Sequence, residues 1–175
     1  MIFLKGRDLF FNGNRESLEK AIPYFKKAIE YDNEFALAYA DIAIAYYYLD
    51  IFLADKKYSD SINNYSDKAL LFNPKLPQAL IAKAYFYMHY AEYELAIPYL
   101  EMALKYNPNS AQVINTLTDF YTNYIPNTEK YLEYALMGIR LDIASHDSVT
   151  ASFIYLHVSN ALIQTGFVME AQNLY

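Results

Sequence analysis

Apolar residues in this chain recur at helical spacing, segment after segment. Ala21, Phe25 and Ala28 fall at i, i+4 and i+7, and Tyr39, Ile42, Ala43 and Tyr46 form a second stripe. Such stripes bury one side of an α-helix. Read along the whole chain, the pattern predicts helices over residues 3–11, 17–31, 34–49, 59–72 and 77–90. It predicts further helices over 93–106, 110–124, 128–141 and 148–165, and a last one that begins near 167. Breakers separate them: Asn12-Gly13-Asn14, Asp32-Asn33, Asn73-Pro74, Asn107-Pro108, Ile125-Pro126-Asn127 and Gly166. A proline cannot continue the hydrogen-bond ladder and pushes its predecessor out of the helical region. Longer connections are expected at 50–58 and 142–147. Ser17 is the expected N-cap of the second helix. Pro23 and Pro98 are expected near the starts of theirs, where a missing amide hydrogen has no partner to lose.

The pattern also repeats at long range. Ala21-Ile-Pro-Tyr-Phe-Lys-Lys-Ala28 returns as Ala96-Ile-Pro-Tyr-Leu-Glu-Met-Ala103, with a looser copy, Ile62-Asn-Asn-Tyr-Ser-Asp-Lys-Ala69, between them. Pro74 and Pro108 are 34 residues apart. A period in the thirties marks stacked units that share one continuous core. The sharpest unit carries Ala84 and Tyr87 in its first helix, Ala96, Leu100 and Ala103 in its second, and Asn107-Pro108 at its close. These residues resemble the tetratricopeptide repeat (TPR), a helix–turn–helix unit. The second unit matches at Tyr39, Ile42, Ala43, Tyr46, Ala69 and Asn73-Pro74, with about seven extra residues between its helices. The fourth departs, with Tyr131 and Gly138 at positions where the repeat has other residues and Asp142-Ile143 where it has a proline.

The expected fold is therefore all-α, a TPR-like superhelical array of antiparallel helix pairs with units at 1–33, 34–76, 77–110, 111–143 and 144–175, the first and last incomplete. A narrower likeness lies at the front, in Leu4-Lys-Gly-Arg-Asp-Leu-Phe-Phe11 with Ser17 to Asp32 and Phe35 to Ala43. It is similar to the TPR region that follows nucleotide-cyclase or winged-helix DNA-binding domains in bacterial signalling proteins. That implies a fragment of a larger signalling or regulatory protein.

Composition narrows the chemistry. The net charge is −6 and no basic run exceeds two residues, so the concentrated cationic footprint of a nucleic-acid binder is missing. Cysteine is absent, which removes disulfides, thiol catalysis and cysteine metal sites together. It also fits a reducing compartment, and a cytoplasmic location is expected. The apolar run 35–53 is interrupted by Asp41 and Asp50, which favours a buried helix over a membrane span. The four glycines, Gly6, Gly13, Gly138 and Gly166, form no phosphate loop. His89, His146 and His157 lack metal-ligand spacing. No nucleophile–base pattern appears, so neither enzymatic activity, a cofactor nor a metal is expected.

What remains is the concave wall of the array, lined by the first helix of each unit. The second unit offers Leu37, Ala40, Ile44, Tyr47 and Tyr48, and the third Ile81, Tyr85, Met88 and His89 beside Gln78. The fourth offers Asn115 and Asp119, beside Gln112, Thr122 and Asn123. Some TPR proteins clamp a peptide carboxylate here with Lys, Asn and Arg; Ala40, Ile44, Ala82 and Tyr85 stand in the corresponding places. The expectation is a protein-interaction scaffold whose partner, a peptide or a helix, inserts apolar side chains and is anchored near Asn115 and Asp119. With 20 Tyr and 11 Phe, the opposing view is that these rings fill seams or meet another part of the full-length chain. Self-association into a homo-oligomer and small-ligand sensing in the tyrosine-rich groove are the alternatives.

Overall fold

The computed structural model describes residues 2–51, 53, 55–141 and 148–172. Among the described residues there are ten α-helices: α1 (Ile2–Phe11), α2 (Arg15–Tyr31), α3 (Ala36–Asp50), α4 (Ser59–Phe72), α5 (Pro77–His89), α6 (Tyr93–Tyr106), α7 (Ala111–Asp119), α8 (Thr128–Arg140), α9 (Ser148–Gln164) and α10 (Val168–Gln172). No strand occurs among the described residues. The chain divides into two compact units, Met1–Tyr106 and Asn107–Tyr175. The expected connector at 142–147 and His146 lie outside the described residues, as does the side chain of His157.

In the first unit each helix packs on the next, from α1 through α6, and α3 also packs directly on α5. The repeated phrase forms the seam. Ala21 and Phe25 of α2, Ile62, Ser66 and Ala69 of α4, and Ala96, Leu100 and Ala103 of α6 are all fully buried. Small residues at these positions let the paired helices approach closely. Gly6 of α1 shows the same constraint, because a β-carbon there would lie 2.8 Å from the Phe25 ring and 3.0 Å from Tyr24 Cβ.

The start of α2 differs from expectation. Asn14, not Ser17, is the N-cap, and its side-chain oxygen accepts from the Ser17 amide at 2.9 Å. The helix therefore begins earlier and carries Pro23 in its interior; Pro98 likewise lies inside α6. Pro23 is exposed, so the carbonyl it leaves without an amide partner can turn to water.

In the second unit α7 packs on α8, α8 on α9 and α9 on α10. The helix expected to run to residue 124 stays α-helical only to Asp119 and widens into a π-helical turn over Phe120–Tyr124. Thr118 and Thr122 direct their hydroxyls to the carbonyls four residues back, at 2.8 Å each. Such bonds compete with and bend the ladder. Beyond them Pro126 has no amide hydrogen to donate, and the Ile125 amide reaches back to Phe120 O at 2.8 Å. Tyr131 is fully buried at the α8 seam, and Tyr121 stacks on Tyr134 with ring centroids 5.8 Å apart.

Candidate functional site

Helices α3 and α5 of the first unit bring a tyrosine cluster together. The Tyr47 ring lies 4.4 Å from that of Tyr85, and the hydroxyls of Tyr48 and Tyr85 are 3.2 Å apart. Tyr85 is buried, whereas Tyr47, Tyr48 and Met88 are half-exposed. Leu37, at the start of α3, is half-buried.

Five of the expected wall residues do not face outward: Ala40, Ile44, Ile81 and Tyr85 are all buried, and so is the side chain of His89. This corrects the assignment of those five to an open surface. The assumption of one free face fails on α3, where every residue from Ala38 to Ala45 is buried. The helix packs on α2, α4 and α5 at once. Its alanines admit neighbours so closely that no side of that stretch remains for a partner. Asn115 and Asp119 belong to the second unit and are half-buried there, and Asp119 accepts from Asn123 Nδ2 at 2.6 Å.

Two buried carboxylates add electrostatic structure that periodicity does not convey. Asp41, on α3, is almost fully buried and lies 3.6 Å from Arg7 Nε of α1. Burial pushes its carboxyl up to about 7, against the opposing pull of the Arg7 guanidinium. Asp50, the last residue of α3, is fully buried. One of its oxygens accepts from the Lys57 amide at 2.9 Å, and the other from the Lys57 and Tyr58 amides at 3.0 and 2.8 Å. That carboxylate ties Lys57 and Tyr58, just before α4, to the end of α3. The signal in the sequence was an aspartate closing an apolar run. Lys83 is a third buried charge, held by Asn63 and Asp67 of α4 at 2.7 Å each and lying over the Phe86 ring.

His89, the last residue of α5, has Nε2 2.9 Å from Ser59 Oγ and 3.4 Å from Asp50 Oδ2. Serine, histidine and aspartate here do not form a proton relay. A relay needs the serine on one ring nitrogen and the carboxylate on the other; both groups meet the same nitrogen. Asp50 is also committed to main-chain amides. Among the described residues no cluster of three His, Cys, Asp or Glu side chains could hold a metal ion. No helix there is long and apolar enough to cross a membrane.

The seam of small residues, the consecutive helix packing and the crossing of α3 on α5 define a TPR-type helical-repeat fold. Among solved structures the chain is similar to MamA, a TPR-like helical protein. A crystal structure of MamA superposes with a TM-score of 0.65 at 19% identity, covering 91% of this chain and 85% of that one. The MamA 41-end structure from Desulfovibrio magneticus RS-1 superposes at 0.64 with 20% identity, covering 99% and 90%. A MamA RS-1 double mutant gives 0.65, 19%, 99% and 90%. At that identity the likeness shows the fold. No protein-family model and no curated protein matches the chain.

Proposed function

We propose that this chain is a non-enzymatic scaffold that holds a protein partner, as a peptide or helix, against the aromatic wall of the first unit. The observation that carries the reading is the division of labour among three tyrosines. Tyr85 is buried, while Tyr47 and Tyr48 rest on it and stay half-exposed. Rigid aromatic anchors of that kind dominate binding energy at protein interfaces. Met88, about one turn beyond Tyr85 on α5, extends that apolar surface in our reading; Leu37 at the start of α3, and Asn115 and Asp119 within the second unit, are separate candidate contacts. The division into five repeat units, a cytoplasmic location and a place within a larger signalling protein belong to the same proposal.

A photo-crosslinking side chain at Met88 tests it, with one at the exposed Leu71 of α4 as control. The partner is expected to crosslink from position 88 and not from 71. The double variant Tyr47→Ser/Tyr48→Ser is expected to weaken capture at least about tenfold while the fold persists. Equal crosslinking from both positions, or unchanged capture by the double variant, rejects the wall. Tyr85 is left intact because its loss would damage the seam itself.

Self-association is the second reading, favoured by Phe167, Val168 and Met169, which are 52%, 48% and 71% exposed around the start of α10. Sedimentation across concentration separates the two: a species that stays monomeric while capturing partner excludes the second.

A further inference from the structure

The α3–α4 connection is tied at both ends to one ring. Asp50 closes α3 and Ser59 opens α4; the His89 imidazole of α5 touches both through Nε2, at 3.4 and 2.9 Å. The Asp50 carboxylate then holds the Lys57 and Tyr58 amides, and Lys56 Nζ donates to Asp50 O at 3.1 Å. The His89 side chain is 1% exposed and that of Asp50 is 0% exposed. His89 Nδ1 is buried with no hydrogen-bond partner.

This arrangement suits one state of the ring. In the neutral tautomer with its proton on Nε2, that N–H faces two acceptors, and Nδ1 carries only a lone pair. A second proton would place an N–H on Nδ1, where none of the described residues offers an acceptor. A buried, charged donor without a partner is strongly unfavourable. The charged groups facing the ring are Asp50 from α3, which favours the cation, and Lys56 from the connection, which disfavours it. Ser59 of α4 and the nearby rings of Tyr47 and Tyr90 are neutral.

We propose that His89 is a proton-released latch on the α3–α4 connection and, through it, a pH control on the tyrosine wall. To accept a proton the ring leaves its slot. Its departure frees Ser59 and opens Asp50 and the Lys57 and Tyr58 amides to water. Tyr47 lies one helical turn before Asp50, with its ring 6.4 Å from that of His89, so the wall loses a neighbour in the same step. Control of the wall rests on the partner-binding reading above; the latch does not. Burial holds the ring below the ordinary histidine value, so release follows mild acidification rather than neutral pH.

Amide exchange at Lys57 and Tyr58, followed by NMR without any partner from about pH 7 to about pH 5, tests the latch. Protection in the wild type, corrected for intrinsic exchange, is expected to fall at least about tenfold. His89→Gln retains a donor but cannot titrate, and is expected to keep its protection. Wild type and variant agreeing within about twofold overturns the latch. Should the variant not fold, the wild-type ring decides alone. Proton uptake below pH 6.5 together with loss of amide protection supports the latch. Uptake above 6.5, or uptake that leaves those amides protected, overturns it. Crosslinking from Met88 repeated across the same range separates the two claims. If the latch opens and crosslinking does not change, the control of the wall fails. If Tyr47→Ser/Tyr48→Ser leaves capture intact, the wall fails and the latch stands.

Discussion

Asp41 and Arg7 face each other at 3.6 Å, and neither Asp41 Oδ2 nor Arg7 Nε has a hydrogen-bond partner. The Arg7 guanidinium instead rests 4.8 Å from the Phe11 ring centroid and keeps 31% of its side chain exposed. The pair thus spans α1 and α3 without the geometry that offsets desolvation. A folded value of about 7 against an ordinary 3.8 means that the native chain keeps a proton the unfolded chain has released. Asp41 therefore favours folding fully below pH 3.8, and that contribution is lost as pH rises to about 7. Its full size is about 4 kcal/mol at most. Asp41→Asn is expected to be more stable than wild type at about pH 8, with the advantage shrinking toward about pH 4. Thermal melts across that range check it; a variant less stable at the alkaline end would make the ion pair a net stabiliser.

Gly6 lies at a close approach of α1 to α2. A methyl group there meets the Phe25 ring at 2.8 Å and the Tyr24 β-carbon at 3.0 Å, and the second of these belongs to the helix framework. Alanine favours helices over glycine by about 1 kcal/mol, whereas overpacking costs about 1–3 kcal/mol. The clash is expected to win, so that Gly6→Ala lowers stability by about 1 kcal/mol in urea melts. A gain in stability would show that α1 can shift outward at little cost.

Much of this was legible from local pattern. Tyr93–Tyr106 and Ser59–Phe72 begin and end where periodicity and the Asn-Pro stops place them, because a missing amide hydrogen acts within one turn. The seam was legible too, since Ala21 and Ala28 return as Ala96 and Ala103 in the second copy of the phrase. The candidate wall was harder to read. Whether Ala40 or Ile44 faces outward depends on how many helices surround α3, and that is set by residues distant in the chain. Lys83 and Asp50 gave only a charge within an apolar stretch. Their partners, Asp67 and the Lys57 and Tyr58 amides, come from chain reversals that no stripe encodes.

Asp50 gives a prediction about those reversals. Its carboxylate takes the Lys57 and Tyr58 amides, and among the described residues no other acceptor is bonded to them. An acidic group at a helix C-terminus is otherwise disfavoured by the helix dipole. Removing it therefore relieves one cost and creates two unsatisfied donors, each worth about 1–3 kcal/mol where water cannot reach. Asp50→Ala is expected to lose about 2–4 kcal/mol, and Asp50→Asn, which keeps one acceptor oxygen, about half of that. Urea melts of both variants measure the difference. Equal losses would assign the effect to charge rather than to the amide bonds.

Ala91 supplies the cleanest backbone test. The α5 helix ends with the Glu92 amide bonded to Tyr87 O and the Ala91 amide bonded to Met88 O, each at 3.0 Å. That is the paired pattern of a Schellman close, in which the residue after the cap turns left-handed. Ala91 occupies the position with φ 58°, where its β-carbon crowds the backbone. Glycine has no such penalty, and its greater freedom in the unfolded chain offsets only part of the gain. Ala91→Gly is expected to stabilise by about 0.5–1 kcal/mol, or about 1–4 °C in the melting temperature. Ala91→Val, β-branched in the same conformation, is expected to move it the other way. The two variants should leave α5 and α6 paired, because neither touches the buried seam of Ala96, Leu100 and Ala103. A destabilised glycine variant would mean that the close owes its form to tertiary packing and not to the turn.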